Sequence, residues 1–245
     1  MLSPALKPCP SVFRSRPFSS FKGSSESANW HFWRPAFVPE LQRVGEWLVP
    51  GACYTCWNLY LDGFRVDASY LIHIWDPSLG NHLKVKAACL HSAGGYTIFL
   101  HRGNASTSFR RPWEDYRLGF EQPYGRHTYD DFWLGLEAVE LMSSHCGTQE
   151  ARFLLTDCQA NQATALYSPF QMGKESSNYA VNASFQEGTA GDGLAWTNGS
   201  DMMNSLGAWE AGCERGGNGE SVWPPWPPNG RLATVTAALR PVQRP

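Results

Sequence analysis

The chain has 245 residues, 42% of them hydrophobic, and a formal net charge of −2 at pH 7. This length allows either one large domain or two small ones, with a sizeable core. The near-neutral charge argues against nucleic acid or an anionic membrane surface as the main partner. No apolar stretch approaches the ~18 residues that a membrane helix needs, and 23 Gly and 17 Pro predict a chain rich in turns.

Residues 1–50 are predicted to form an N-terminal extension or linker with little order. Residues 19–29 are serine-rich and polar, which is typical of a flexible linker. Residues 40–48 suffice for two helical turns before Pro50, far short of the three or four heptads of a coiled coil. A collagen repeat is also missing from the sequence. This stretch therefore predicts no device for oligomerisation, and the oligomeric state stays open.

Seven cysteines are an odd number, so at least one thiol is left over if the others pair. Cys53 and Cys56 form a C-x-x-C pattern, and Cys89 and His91 form a C-x-H pattern. A disulfide framework, a tetrahedral zinc site and a thiol redox pair are all compatible with these spacings. The residues alone leave these three alternatives open, and a fourth in which the thiols take part in none of them.

Aromatic residues at helical spacing predict the next element. Trp113, Tyr116 and Phe120 recur with charged residues between them, which indicates one short amphipathic helix. Gly119 lies near its end, where a residue free to adopt positive φ can terminate a helix. The aromatic run F-W-L at residues 132–134 is typical of a core anchor.

The order of short motifs along the chain is more specific than any one motif. Residues 111–120 read R-P-W-E-D-Y-R-L-G-F, and residues 131–137 read D-F-W-L-G-L-E. Further blocks keep the same order: G-G-Y-T-I-F-L-H-R at 94–102, A-L-Y-S-P-F at 165–170, G-T-A-G-D at 188–192 and T-N-G at 197–199. Together they resemble the fibrinogen C-terminal-like domain family, which includes the fibrinogen-like, angiopoietin-like and ficolin proteins. The resemblance covers roughly residues 52–215.

The resemblance implies an α+β fold for residues 51–245. We expect a small disulfide-linked N-terminal subdomain, a central twisted antiparallel sheet with short helices, and a loop-rich C-terminal subdomain. It also implies that Cys56 and Cys89 form the first disulfide of the family. Residues 232–241 are expected to be the last strand, with the segment that precedes it in relatives shortened.

The C-terminal part departs from the family where relatives bind calcium. Relatives carry an acidic Asp-x-Asp-x-Asp loop after N-G, but here Asp201 and Glu210 are the only carboxylates in residues 200–213. Calcium takes six to eight oxygen ligands, usually with several carboxylates among them. The sequence therefore predicts that the calcium site is lost and that the domain holds no metal or other cofactor.

A second departure concerns a family disulfide. Cys213 matches one cysteine of that bond, but its partner and the following histidine are replaced by P-P-W-P-P at residues 224–228. Cys213 then lacks its expected partner unless Cys146 or Cys158 replaces it. Cys158 stands where relatives have a core tryptophan. The proline-rich run favours extended backbone, packed or disordered, with a new binding surface at Trp223 and Trp226 as the weaker alternative.

The sequence gives conflicting indications of whether the protein is secreted. Asn104, Asn182 and Asn198 begin N-x-S patterns, which are candidate N-glycosylation sites in a secreted protein. The first residues lack the apolar segment of about 7–15 residues that a signal peptide contains. Because members of the family are extracellular, we expect a secreted, disulfide-bonded glycoprotein.

No catalytic site is predicted, because the histidines belong to no recognised catalytic motif. Asp192 in the G-T-A-G-D block is interpreted as a turn-stabilising carboxylate. By resemblance the function is non-enzymatic extracellular recognition, most simply of a protein or a cell-surface receptor. Calcium-assisted binding of acetylated glycans and a degenerate relic without activity are the alternatives. The ligand-binding residues are unknown.

Overall fold

A computed structural model of the chain describes residues 48–103, 107–123, 130–195, 213, 223, 226 and 232–242. Residues 1–47 lie outside this part, so the predicted N-terminal extension stays a prediction. The helices are α1 (Cys56–Leu61), α2 (Trp113–Leu118) and α3 (Leu136–His145). The strands are β1 (Ala68–Asp76), β2 (Asn81–Leu90), β3 (Tyr96–Arg102), β4 (Phe132–Trp133), β5 (Gln149–Asp157), β6 (Gln162–Met172), β7 (Val181–Glu187) and β8 (Leu232–Pro241). No helix in these ranges is long and apolar enough to cross a membrane.

The strands form one sheet in the order β1-β2-β3-β8-β5-β6-β7, and β4 pairs with β3. Every pairing in it is antiparallel. The last strand lies in the middle of the sheet, where Ala237 is opposite both Leu100 of β3 and Phe153 of β5. The predicted α+β fold with a central antiparallel sheet and short helices is therefore confirmed, and so is the final strand.

The core lies mainly on one side of this sheet. Residues of β5 alternate between buried and partly exposed, which is the pattern of a strand with one covered face. All seven residues of β3 are buried, and α3 contacts β1 and β6. The largest fully buried side chains are Tyr96, Tyr167, Phe99, Phe132, Phe153, Phe170, Leu59, Ile72, Ile74, Ile98, Leu100 and Leu136.

Disulfides attach α1 to the sheet. Cys56 at the start of α1 bonds to Cys89 of β2, the pair that the resemblance implies. Cys53, three residues earlier, bonds to Cys146 at the end of α3. Asn58 stabilises the first turn of α1, since its Oδ1 accepts the backbone N–H of Thr55 at 2.9 Å. The small disulfide-linked N-terminal part is thus held at two points, to strand β2 of the sheet and to the end of α3.

The predicted aromatic helix is present but shorter than its spacing suggests. α2 ends at Leu118, and Gly119 follows with φ +92°. Phe120 lies beyond the helix and forms a β-bridge with Trp133. Residue 119 must be glycine, because the backbone of Leu134 approaches it so closely that a Cβ would lie 2.5 Å from the Leu134 carbonyl oxygen. Tyr116 is buried, whereas Trp113 is 40% exposed and is not a core residue.

Candidate recognition site

The C-terminal part of the chain is attached to the sheet by a disulfide between Cys158 and Cys213. Cys158 lies in the turn between β5 and β6, directly after Asp157. Asp157 shapes that turn, because its Oδ1 accepts the backbone N–H groups of Gln159 and Asn161, each at 2.8 Å. Cys213, whose family partner is missing from the sequence, therefore bonds to the cysteine that stands in place of a core tryptophan.

A second attachment involves the G-T-A-G-D block. The Tyr167 hydroxyl donates to Asp192 Oδ1 at 3.0 Å, and the backbone N–H of Leu194 donates to the Tyr167 oxygen at 3.1 Å. Burial raises the pKa of the Tyr167 hydroxyl well above its usual range, and Asp192 adds to that rise. Leu194 N–H also lies 3.2 Å from Asp192 Oδ1, so Asp192 is a turn-stabilising carboxylate.

Trp223 is the third attachment. Its side chain is 7% exposed, and its ring lies 4.9 Å from that of Phe153 and 6.4 Å from that of Tyr167. Gly193 makes room for it, since a Cβ there would overlap the indole. The surface role weighed for Trp223 is therefore wrong, because the ring is packed in the core. Trp226 is only partly buried and forms a β-bridge with Trp223.

The sequence of this part of the chain matches a known protein family. Residues 53–216 match the protein family described as fibrinogen beta and gamma chains, C-terminal globular domain. The chain belongs to this family. The fibrinogen-like resemblance seen in the motifs is thereby confirmed.

Individual relatives match over part of their length. The chain is 35% identical to bovine angiopoietin-4 over 136 residues, which are 56% of the chain and 26% of that protein. It is 34% identical to mouse microfibril-associated glycoprotein 4 over 150 residues, 59% of the chain and 55% of that protein. The chain therefore spans about a quarter to a half of the relatives it matches.

Solved structures show the same fold. The fibrinogen-like globe domain of human ANGPTL6 superposes with a TM-score of 0.63 at 23% identity, covering 78% of this chain and 96% of that one. Lamprey fibrin D-dimer, complexed with the peptide Gly-His-Arg-Pro-amide, superposes with a TM-score of 0.65 at 20% identity. It covers 82% of this chain and 77% of the lamprey chain.

The cysteines of this fibrinogen-like domain are structural. Cys53 and Cys56 bond to different partners rather than to each other, and Cys89 is also in a disulfide. No free thiolate of the C-x-x-C pattern remains, so the zinc and redox alternatives are wrong. Cys146 is bonded to Cys53, so it is not a free thiol beside His145.

The fibrinogen-family calcium loop falls on residues that the structure does not describe. Asp201 and Glu210 lie outside the described ranges, so loss of the calcium site stays a prediction. Among described residues, no three His, Cys, Asp or Glu side chains are grouped in a way that could hold a metal ion.

Only Asn182 of the three glycosylation candidates lies in the described part. It is exposed in β7, opposite Gln171 of β6, and Ser184 of the same N-x-S pattern is exposed beside it. Asn104 and Asn198 lie outside the described residues. Glycosylation at all three stays a prediction.

Three histidines are buried in ways that favour the neutral ring. Burial lowers the pKa of His73, His91 and His101 below the ordinary value of 6.5. His101 lies at a cleft over the ends of β3, β5, β6 and β8, and its Nδ1 is 2.8 Å from Thr236 Oγ1. Thr156, Thr164, Thr234 and Leu154 are among its other described lining residues, which include no cysteine or serine.

Sequence reasoning left two disulfides unassigned, although their cysteines were visible. The signal for Cys158–Cys213 was the coincidence of a lost partner at one position and a gained cysteine at another. Cys53–Cys146 joins residues 93 positions apart, and nothing in their local sequence relates them. They come together because α3 packs against β1, to which the residue after Cys53 is attached by the bridge between Tyr54 and His73.

Proposed function

We propose that this domain is a non-enzymatic extracellular recognition module that binds a protein, most simply a cell-surface receptor. Family membership supports the class of function. The observation that carries the proposal is the Cys158–Cys213 disulfide. It attaches the region in which the family implies recognition, even though the cysteine–histidine peptide of relatives is missing from the sequence.

Extracellular location is supported by the three disulfides, because such bonds persist in oxidising compartments and are rare in the cytosol. Two of them attach the N-terminal part and one attaches the C-terminal part. In a chain without function, selection would not favour a new disulfide that replaces a lost one. This argues against the relic alternative.

Protein recognition is preferred over calcium-assisted glycan binding. A protein surface needs only an exposed, ordered patch, whereas the glycan alternative needs a calcium loop whose carboxylates are largely missing from the sequence. No residue described in the structure favours the glycan alternative, so a single function is proposed.

The test is a binding screen with the full chain secreted from mammalian cells behind a heterologous signal peptide. We expect saturable binding to one receptor ectodomain of an array, unchanged by EDTA. The double variant C158S/C213S is expected to lose this binding. C53S/C146S, which opens a disulfide that does not hold the C-terminal region, serves as the control.

Three outcomes would contradict the proposal. EDTA-sensitive retention on an N-acetylglucosamine resin would favour the glycan alternative. Failure of the purified protein to unfold cooperatively would favour the relic. Full binding by C158S/C213S would show that recognition does not depend on the attached C-terminal region.

A further inference from the structure

A cleft beside α3 has an acidic lining. It is separate from the C-terminal region to which the proposed function is assigned. It has a volume of about 380 Å³ and lies between α3, the turn from β1 to β2, and the 3₁₀ turn Glu175–Ser177. Four carboxylates line it: Asp76, Glu137, Glu140 and Glu175. We call it the acidic cleft.

Glu140 is the unusual member of this group. The residue is only 7% exposed, and its Oε1 is fully buried without accepting a hydrogen bond from any residue that the structure describes. A buried carboxylate oxygen without a donor is unfavourable, because it has lost its hydrogen bonds to water and formed none with the protein. Because Glu140 also lines the cleft, a cation bound there would offset the charge of this poorly solvated carboxylate.

Two of the other carboxylates already have partners. Glu137 forms an ion pair with Arg117 of α2. Asp76 Oδ1 accepts the backbone N–H and the hydroxyl of Ser78, at 2.8 and 2.6 Å. Glu140 and Glu175 are left to interact with a ligand. The four carboxylates outnumber the two basic side chains of the lining, His145 and Lys174, so the cleft favours a cation over an anion.

Tyr179 is a buried residue of the same cleft whose hydroxyl responds to three of the carboxylates. Its ring lines the cleft and is 2% exposed. Burial raises its pKa to about 12, and the charges of Glu175, Glu137 and Glu140 each contribute to the rise. Three carboxylates on two different elements thus act on the same phenol. All three carboxylates also line the acidic cleft.

The chemistry of the lining favours an ammonium group on an alkyl stem over a metal ion. Among the described residues, no three His, Cys, Asp or Glu side chains form a group that could hold a metal ion. Leu79, Leu83 and Leu141 line the same cleft beside the carboxylates, and Leu79 is 73% exposed. An aliphatic stem can pack on these leucines while its charged end reaches the acids.

We infer that the acidic cleft binds a lysine side chain of a partner protein, with Glu140 as the main acceptor. The inference rests on the proposed function and adds one chemical feature of the partner. Lys174 also lines the cleft, but no described ion pair joins it to Glu140. It stands as the internal competitor for the same carboxylates.

The test uses Nα-acetyl-L-lysine methylamide as the probe, titrated into the secreted full chain and followed by protein-observed NMR. We expect saturable binding with a Kd of about 1 mM, the scale of a single charged contact with apolar packing. The Nε-acetylated probe, which has the same stem without the charge, is expected to bind at least about tenfold more weakly.

Variants locate the site. E140Q keeps the shape of the side chain and is expected to weaken lysine binding about tenfold, with the thermal midpoint little changed. E187Q, at the opposite end of β7 from Tyr179, is the matched control and should bind as wild type. K174Q should bind equally or more tightly, because a competing cation is removed.

The inference is overturned if the probe does not bind the wild-type protein, if E140Q binds it equally, or if the Nε-acetylated probe binds as well. It is also overturned if K174Q unfolds at markedly lower temperature, which would identify Lys174 as the occupant. Probe binding without any receptor in the ectodomain screen would leave the cleft in place and remove the proposed function. A receptor that binds E140Q as tightly as wild type would leave the proposed function in place and overturn the inference about the cleft.

Discussion

Arg240 of β8 and Glu150 of β5 form an ion pair inside the sheet, with Arg240 Nη2 2.7 Å from Glu150 Oε1. Their side chains are 19% and 12% exposed, so the pair is largely withdrawn from water. Arg240 Nε lies 3.1 Å from the same oxygen, which also accepts the hydroxyl of Tyr96. The guanidinium lies over the Tyr96 ring at 4.4 Å and over Trp57 of α1 at 5.7 Å. One side chain therefore links the last strand, its neighbours and the N-terminal helix.

Replacing Arg240 with methionine is expected to destabilise the domain by about 3 kcal/mol, because it leaves Glu150 charged and partly buried without its cation. Chemical denaturation measures the change. The control is R111M, whose pairs with Asp115 and Glu121 are on the surface and are worth at most about 1 kcal/mol. Equal losses in the two variants would contradict the interpretation of Arg240 as the link.

Trp223 is expected to be the most important single side chain of the C-terminal region. Its ring packs against Phe153 and Tyr167, so W223A opens a cavity and should cost about 3–5 kcal/mol in the free energy of unfolding. W226A is the comparison, since Trp226 is only partly buried and should cost clearly less. Similar effects from both substitutions would mean that Trp223 is not buried in solution.

The three disulfides predict a definite peptide map. Digestion without reduction should yield linked peptides for Cys53–Cys146, Cys56–Cys89 and Cys158–Cys213. Opening the last, which closes a span of 55 residues, should cost about 4 kcal/mol on the chain-entropy model. Mass spectrometry checks the pairing and thermal unfolding of C158S/C213S checks the cost. A map in which Cys213 pairs with another cysteine would contradict the assignment.

The order of motifs predicted the fold because short aromatic and glycine patterns record local packing. Tyr116 and Gly119 are examples, since helical spacing and a required positive φ are both visible in the sequence. The close contact between Gly119 and the backbone of Leu134 was not predictable, because Leu134 lies 15 residues further along the chain.

The acidic cleft could not be predicted for the same reason. Glu140 falls within an ordinary amphipathic helix, and its burial follows from the packing of α3 beside Tyr179 and the turn from β1 to β2. A sequence shows that a carboxylate is present, but it does not show whether hydrogen-bond donors surround that carboxylate in the folded protein. The pairing of Cys53 with Cys146 was hidden in the same way, by contacts between distant segments.

Gly119 and Gly147 allow crowding to be separated from backbone strain. Both have positive φ, +92° and +86°, but a Cβ at Gly119 would meet the Leu134 backbone, whereas nothing lies within 4 Å of one at Gly147. G147A should therefore cost about 1 kcal/mol from strain alone. G119A should cost at least about 2 kcal/mol more, because the chain must shift to relieve the overlap. Urea denaturation measures both, and equal costs would show that the contact with Leu134 relaxes freely.

His73 makes the stability of the domain depend on pH. Burial lowers its pKa below 6.5, and the charges of Lys84 and His82 lower it further. The unfolded chain then binds a proton more readily than the native one, so the stabilisation is complete above about pH 6.5 and is lost as the pH falls towards the native pKa. His91 and His101 act in the same direction.

H73F removes the titrating group while keeping an aromatic ring at a buried position in β1. His73 Nδ1 has no hydrogen-bond partner in the described part of the chain, so the substitution breaks no bond at that atom. We expect the free energy of unfolding of the wild type to fall between pH 7 and pH 5, and that of H73F to fall less steeply. The remaining slope belongs to His91, His101 and the other titrating groups. Urea denaturation at several pH values measures both slopes, and parallel curves would mean that His73 titrates alike in the folded and unfolded chain.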